Sequence, residues 1–299
     1  MSTENNPLKA LGYLLTAVFM FECVGLFAKL LSPDITLYTK VFARSFFALL
    51  PLGFMLLWLR DRALLRTPQP KLHLIRGVIG FATLLTNFYA IGHLNLSTVT
   101  AIQFTMPFFM ILLAAIWLRE KLTPLRIGAV LVGFAGAMLT IPQSDGTALL
   151  ANITLLATIA AFASALLGGA SGVIIRRLAS TDKSITIAFY FTLSATVFGA
   201  FLLPFGFVWP NRHDLLLLMG MGVAGGCAQL LLSQAYRFGQ VSVIAPYEYS
   251  ALLWAMSFDA LFFDRIPTLA MLAGAGIIIA ADLMVVLQTE RRKKLAATA

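Results

Sequence analysis

Charge is scarce in this chain. Asp, Glu, Lys and Arg make up 12% of 299 residues, about half the share of a soluble domain. That is too little to clothe a water-facing surface of this length. Cysteine is scarcer still. Cys23 and Cys227 are the only two, both inside apolar stretches, so no CxxC pair or disulfide framework arises. Both read as small buried hydrophobes. Histidine is limited to His73, His93 and His213, with no HExxH and no spacing that suggests a triad. The chain therefore reads as neither an enzyme nor a metal protein, and no cofactor is expected. A GxxxxGK[ST] loop is also lacking, which argues against a nucleotide-driven pump.

What is abundant is apolar. Such residues form 60% of the chain and the mean hydropathy is +0.88. A helix crosses a bilayer with about 20 apolar residues. Ten such stretches are predicted, at 9–31, 35–59, 72–92, 97–118, 123–141, 150–175, 185–208, 214–237, 241–263 and 267–288. Turn chemistry separates them: SPD at 32–34, RTPQP at 66–70, PQSDG at 142–146 and WPNRHD at 209–214. The first stretch is longer than the core of a signal peptide and no small-x-small site follows it, so it reads as a retained span.

The basic residues orient the spans. With the amino terminus inside, seventeen of the 22 fall in cytoplasmic segments, from Lys9 through Arg76, Arg119 and Arg176 to the Arg291–Lys294 tail. The outer loops hold Arg212 and Arg265, and Lys29, Lys40 and Arg44 lie within spans. This asymmetry places both termini in the cytoplasm and assigns the net charge of +9 to the inner membrane face rather than to nucleic acid.

A phrase is written twice: LLPLGF at 49–54 and LLPFGF at 202–207. Five spans separate the copies, so they would point in opposite directions. The match extends weakly: Ala90 aligns with Ala235, Ser97 with Ser242, and Glu120-Lys121-Leu122 with Asp264-Arg265-Ile266. The offset changes within the long basic loop at 60–71, where an insertion is tolerated. The pattern predicts an all-α membrane protein of two five-helix repeats with inverted topology, 1–145 and 146–299, around a central cavity. Inverted repeats are a signature of secondary transporters. Pro51 and Pro204 read as kinks that help helices pack or gate.

Charge inside a bilayer is costly and needs a partner, a wet cavity or a task. Glu22 lies mid-way along the first span, and Lys40 and Arg44 share a face of the second. Glu248 and Asp259, eleven residues apart, are expected on one face of the ninth, and Asp282 at the interface end of the tenth. Glu22 and Arg44 admit two readings, a structural ion pair or opposed charges across a substrate cavity suited to a zwitterion. Glu22 and Glu248 are candidates for proton coupling. Uncharged polar residues extend the candidate site: Thr83, Thr86 and Asn87 on the third span, Thr100, Gln103 and Pro107 on the fourth, and Gln229, Ser233 and Tyr236 on the eighth. APYEYS at 245–250 adds Tyr247 beside Glu248. By contrast Gly128, Gly133, Gly136, Gly274 and Gly276 give the fifth and tenth spans small faces, as tight helix packing requires.

At VFARSFFALLP (41–51), NFYAIGHLNLSTVTAI (87–102), WLREKLTPLRIGAVLVGFAGA (117–137) and FFDRIPTLAMLAGAGI (262–277), the chain resembles the EamA-type proteins of the drug/metabolite transporter superfamily. Asp264 stands where Glu is more usual. The resemblance implies spans 1–4 and 6–9 around the cavity, spans 5 and 10 at the periphery, and Arg44 in the place of the family's second-span arginine. It implies a multi-pass carrier of the bacterial inner (plasma) membrane, with a small-molecule substrate and the bilayer as its surroundings. A monomer is the simplest unit, although the glycine faces can pack within one chain or between two. Within the family the chain is most similar to the amino-acid exporters. The alternatives are an uptake carrier for a nucleotide-like metabolite such as S-adenosylmethionine or riboflavin, and a cationic drug exporter. A channel is a further reading, which saturable exchange of labelled solute would exclude.

Overall fold

The computed structural model describes residues 7–60, 65–117, 124–141, 148–238 and 245–298. Among these residues the chain is helical throughout, with no strand. The helices are α1 (Pro7–Leu30), α2 (Leu37–Leu59), α3 (Pro70–His93), α4 (Leu96–Gln103), α5 (Met106–Trp117), α6 (Pro124–Leu139), α7 (Ala148–Leu178), α8 (Ser184–Leu202), α9 (Arg212–Phe238), α10 (Ser250–Phe263) and α11 (Leu269–Thr298). Seven stretches are long and apolar enough to cross a membrane, the fourth of them Leu96–Leu113, which joins α4 and α5. The ten predicted spans map onto the helices with α4–α5 as one and with α10, preceded by a 3-10 helix at Ala245–Tyr249, as another.

Proline chemistry decides where spans bend. Pro107 has no N–H to give the carbonyl of Gln103, and its ring crowds that carbonyl. The helix stops at Gln103 and restarts at Met106, with Thr105 Oγ1 donating to the Ile102 carbonyl at 2.7 Å. The two LLPxGF copies differ. Pro51 lies inside α2, whereas Pro204 lies in a 3-10 turn, Leu203–Phe205, that ends α8. Pro204 is therefore a terminator, not a kink. Of the two acids expected on one face of the ninth span, Glu248 lies in the 3-10 helix at 245–249 and Asp259 in α10.

The two halves of the chain interlock. Helices α1 and α2 pack on α9, α2 and α3 on α8, α3 and α5 on α7, and α4 on α10. The pair α6 and α11 packs mainly on itself. There the glycine faces meet: a Cβ on Gly274 would stand 2.5 Å from the Gly136 carbonyl oxygen, and one on Gly136 would stand 2.8 Å from that of Gly274. Gly128 instead borders an apolar hollow of about 580 Å³ between these helices, and every residue lining it is apolar. PQSDG at 142–146 and Glu120-Lys121-Leu122 lie outside the described residues.

One end of the bundle is tied by polar contacts between the halves. Ser32 donates from both its N–H and its hydroxyl to Asp214 at 3.0 Å. Thr36 donates to the Gly206 carbonyl at 2.5 Å, and Arg265 to the side-chain oxygen of Asn95. At the opposite end Gln69 donates to Thr181 at 2.9 Å and Tyr190 to the Leu65 carbonyl at 2.6 Å. His73 Nε2 lies 3.6 Å from Asp182 Oδ1 there.

Candidate functional site

Between the halves lies a cavity of about 450 Å³, bordered by α2, α3, α5, α7, α8 and α9. It runs from Arg44, Gln229 and Ser233 to Ala179 and Ser184, beside the α7–α8 connection. Three of the residues expected to bind substrate, Arg44, Gln229 and Ser233, line it together, and Thr83 joins them. Ser233 hydrogen-bonds its own helix at Gln229, as Thr83 does at Ile79. Tyr236 is not described in its side chain.

Arg44 is 5% exposed. Its guanidinium lies across Gly225 of α9, where a Cβ would stand 3.2 Å from Nη2. That glycine leaves the room the side chain occupies. Its Nε has no hydrogen-bond partner. The sequence counted Arg76 among the cytoplasmic charges, yet here it is 8% exposed and lines the same cavity. It sits under the Phe191 ring at 4.1 Å, and its Nε and Nη1 are unpartnered. The missed signal was position: Arg76 falls a turn and a half inside a helix that begins at Pro70. Ser171 Oγ, on α7, is a third buried and unpartnered group on the cavity wall.

Other expected site residues lie elsewhere. Glu22 is buried on α1, and Thr100 donates to its two oxygens at 3.2 and 3.3 Å. It is not paired with Arg44 and does not line the arginine cavity. Asn87 and Gln103 converge on Ser164 of α7, Asn87 at 3.3 Å. Tyr247 is exposed and Glu248 half-buried in the 3-10 helix before α10. Asp259 is a helix cap: its carboxylate accepts the N–H groups of Leu96 and Ser97 at 3.1 and 2.8 Å and the Ser97 hydroxyl at 2.5 Å. Lys29 stands 3.9 Å away and donates to the Leu94 carbonyl at 2.5 Å. Asp282 is buried rather than interfacial and accepts from the Tyr249 hydroxyl at 2.5 Å. Among the described residues no three His, Cys, Asp or Glu side chains gather to hold a metal.

A helical bundle of membrane-crossing length, with a cavity between its two halves that two buried arginines line, is the architecture of a polytopic solute carrier. The EamA-like transporter family model matches the chain twice, over residues 8–141 and 155–287, and the chain belongs to that family. It is 28% identical to the pseudopaline exporter of Pseudomonas aeruginosa (strain UCBPP-PA14), covering 89% of this chain and 91% of that one. It is 28% identical to the riboflavin transporter of Vibrio cholerae serotype O1, covering 93% of each. It is 25% identical to the S-adenosylmethionine uptake transporter of Rickettsia bellii, covering 92% of each. A solved crystal structure at 19% identity has the same fold, with a TM-score of 0.64 over 96% of this chain and 99% of that one. The chain is thus a multi-pass membrane transporter of a family whose characterised relatives carry small metabolites.

Proposed function

We propose that this protein is a secondary transporter of the bacterial inner membrane. Its substrates are small metabolites bearing a carboxylate, amino acids and their derivatives among them, and export is its direction. The observation that carries this reading is Arg44: a permanent cation, nearly fully buried, facing a cavity that no acidic side chain lines among the described residues. An arginine so placed is suited to hold a carboxylate. The zwitterion expected from opposed Glu22 and Arg44 becomes a simpler requirement for an anionic group, because Glu22 stands on Thr100 instead.

Two inverted five-helix repeats with both termini cytoplasmic would supply two conformations of similar energy. The cavity reaches Ala179 and Ser184 at the α7–α8 connection, which is cytoplasmic in that orientation. The far end is tied through Asp214 and Asp259. These features support an inward-facing state, from which a cytoplasmic metabolite loads. Glu22 is the proposed proton site. Its protonation would alter the Thr100 bond that joins α1 to α4. The riboflavin and S-adenosylmethionine relatives favour uptake of a nucleotide-like metabolite as the second reading.

The test is flux from proteoliposomes loaded with one radiolabelled amino acid at a time, with and without a proton gradient. Saturable release, lost in Arg44→Gln while the protein stays folded, is the expected result. Saturable release unchanged in Arg44→Gln would sink the assignment, and no carboxylate flux would move it to the nucleotide-like class.

A further inference from the structure

We infer that Arg44 and Arg76 form one two-pronged anion site, so that the preferred substrates carry two anionic groups. This rests on the transporter reading above and narrows its substrate class. A cavity of about 450 Å³ holds one small metabolite, so a single ligand meets both guanidiniums. Both arginines are more than nine-tenths buried, and three of their nitrogens are without partners.

Their surroundings make the point sharper. Four buried carboxylates elsewhere are engaged: Asp259 by two N–H groups and Lys29, Asp214 by Ser32, Asp282 by Tyr249 and Glu22 by Thr100. Asp182, at the α7–α8 connection, faces His73 at 3.6 Å, and its Oδ1 has no hydrogen-bond partner. Among the described residues no Asp or Glu lines the arginine cavity. Two like charges in one poorly solvated space repel, and a monoanion leaves one of them uncompensated. A ligand with two anionic groups compensates both.

Arg76 is also held in position. Phe191 covers its guanidinium at 4.1 Å, and Gly80, one turn along α3, leaves the space where Nη1 lies. A fixed planar guanidinium suits bidentate recognition of a carboxylate or phosphate. Ser171 adds a buried, unpartnered hydroxyl on the same wall. The shared chemistry is a dianion, and a dicarboxylate and a phosphate ester both offer it.

The experiment is equilibrium binding to the purified full-length protein in nanodiscs, using matched pairs. Radiolabelled L-glutamate is compared with L-glutamine, and O-phosphoserine with serine. For wild type the member with the added anionic group binds about tenfold tighter or more, the scale of one charge-assisted hydrogen-bonded contact. Arg76→Gln brings the ratio to about one by weakening glutamate far more than glutamine, and Arg76→Lys restores part of the preference. The larger of the two wild-type ratios tells whether the second group is a carboxylate or a phosphate.

A wild-type ratio of about one for both pairs overturns the inference. So does an Arg76→Gln variant that weakens glutamate and glutamine alike, which would make Arg76 structural. If Arg76→Gln fails to fold, Ser171→Ala and the wild-type ratios decide: a lower glutamate preference in Ser171→Ala supports the site, and a wild-type ratio of one removes it. Failure of the transport reading looks different. Neither member of any pair then binds wild type, and no flux occurs.

Discussion

Two buried charge clusters occupy the same bundle and are treated in opposite ways. Around Asp259 every charge is answered: two backbone N–H groups, the Ser97 hydroxyl and Lys29 surround the carboxylate, and Lys29 also donates to Leu94. Around Arg44 and Arg76 no negatively charged side chain lines the cavity among the described residues. Placing an arginine in the membrane centre costs about 3 kcal/mol on insertion scales. In the first cluster local partners offset that kind of cost, and the outcome is a joint between α10 and the start of α4. In the second no such partner lines the cavity among the described residues, as the proposed anion site requires. The contrast to be tested is between charges that hold a fold together and charges proposed to meet a substrate.

Breaking the first cluster gives the largest effect on stability. Asp259→Ala strips the cap from α4 and leaves Lys29 buried without its counter-charge, at about 3 to 5 kcal/mol. A large fall in thermal midpoint in detergent is expected. A midpoint within a degree of wild type would mean that water already serves these groups.

The same operation on the second cluster should have the opposite sign. Arg44→Gln removes an uncompensated charge, so the protein keeps or raises its thermal midpoint while saturable flux disappears. A midpoint that fell as far as in Asp259→Ala would place Arg44 with the structural charges. The helix pair outside both clusters sharpens the contrast. Gly274→Leu forces a side chain against the Gly136 backbone, and overpacking of this kind costs about 1 to 3 kcal/mol. Stability falls, but the glutamate-to-glutamine ratio stays as in wild type. A change in that ratio would couple α6 and α11 to the cavity.

Smaller effects follow at Glu22 and Ser164. Glu22→Gln keeps the shape and the Thr100 contact but cannot take a proton. Release is then expected to lose its response to a proton gradient while gradient-free exchange continues, and a preserved response would move coupling to another carboxylate. Ser164→Ala removes the shared partner of Asn87 and Gln103, with a loss of about 1 kcal/mol read from the thermal midpoint. No change there would show that the two amides find other partners.

Hydropathy made the helical membrane class and the order of the helices legible, and seven of the ten predicted spans reach crossing length among the described residues, because a bilayer demands long apolar helices whatever their neighbours are. The small faces of spans five and ten were legible for a related reason: Gly136 and Gly274 have few uses other than close approach. Charge location was legible only in part. Arg44, Gln229 and Ser233 meet in one cavity, whereas Glu22, read as their partner, answers Thr100. Spacing along one helix says nothing about which helix lies opposite. Arg76 was hidden because a basic residue close to a predicted boundary is ordinarily interfacial, and its burial depends on Phe191 and on α7 and α8 folding over it.

The doubled hexapeptide marks the boundary between the two kinds of information. By itself the sequence determined that each LLPxGF is apolar, resists regular helix at its proline and falls near a span end. Tertiary structure decided the rest. Pro51 stays within α2, packed against Gly226 of α9. The chain at Pro204 leaves the helix in a 3-10 turn, and Thr36 donates to the Gly206 carbonyl. A proline only removes one hydrogen bond and one conformation; the neighbours that pack there decide whether the helix goes on or ends.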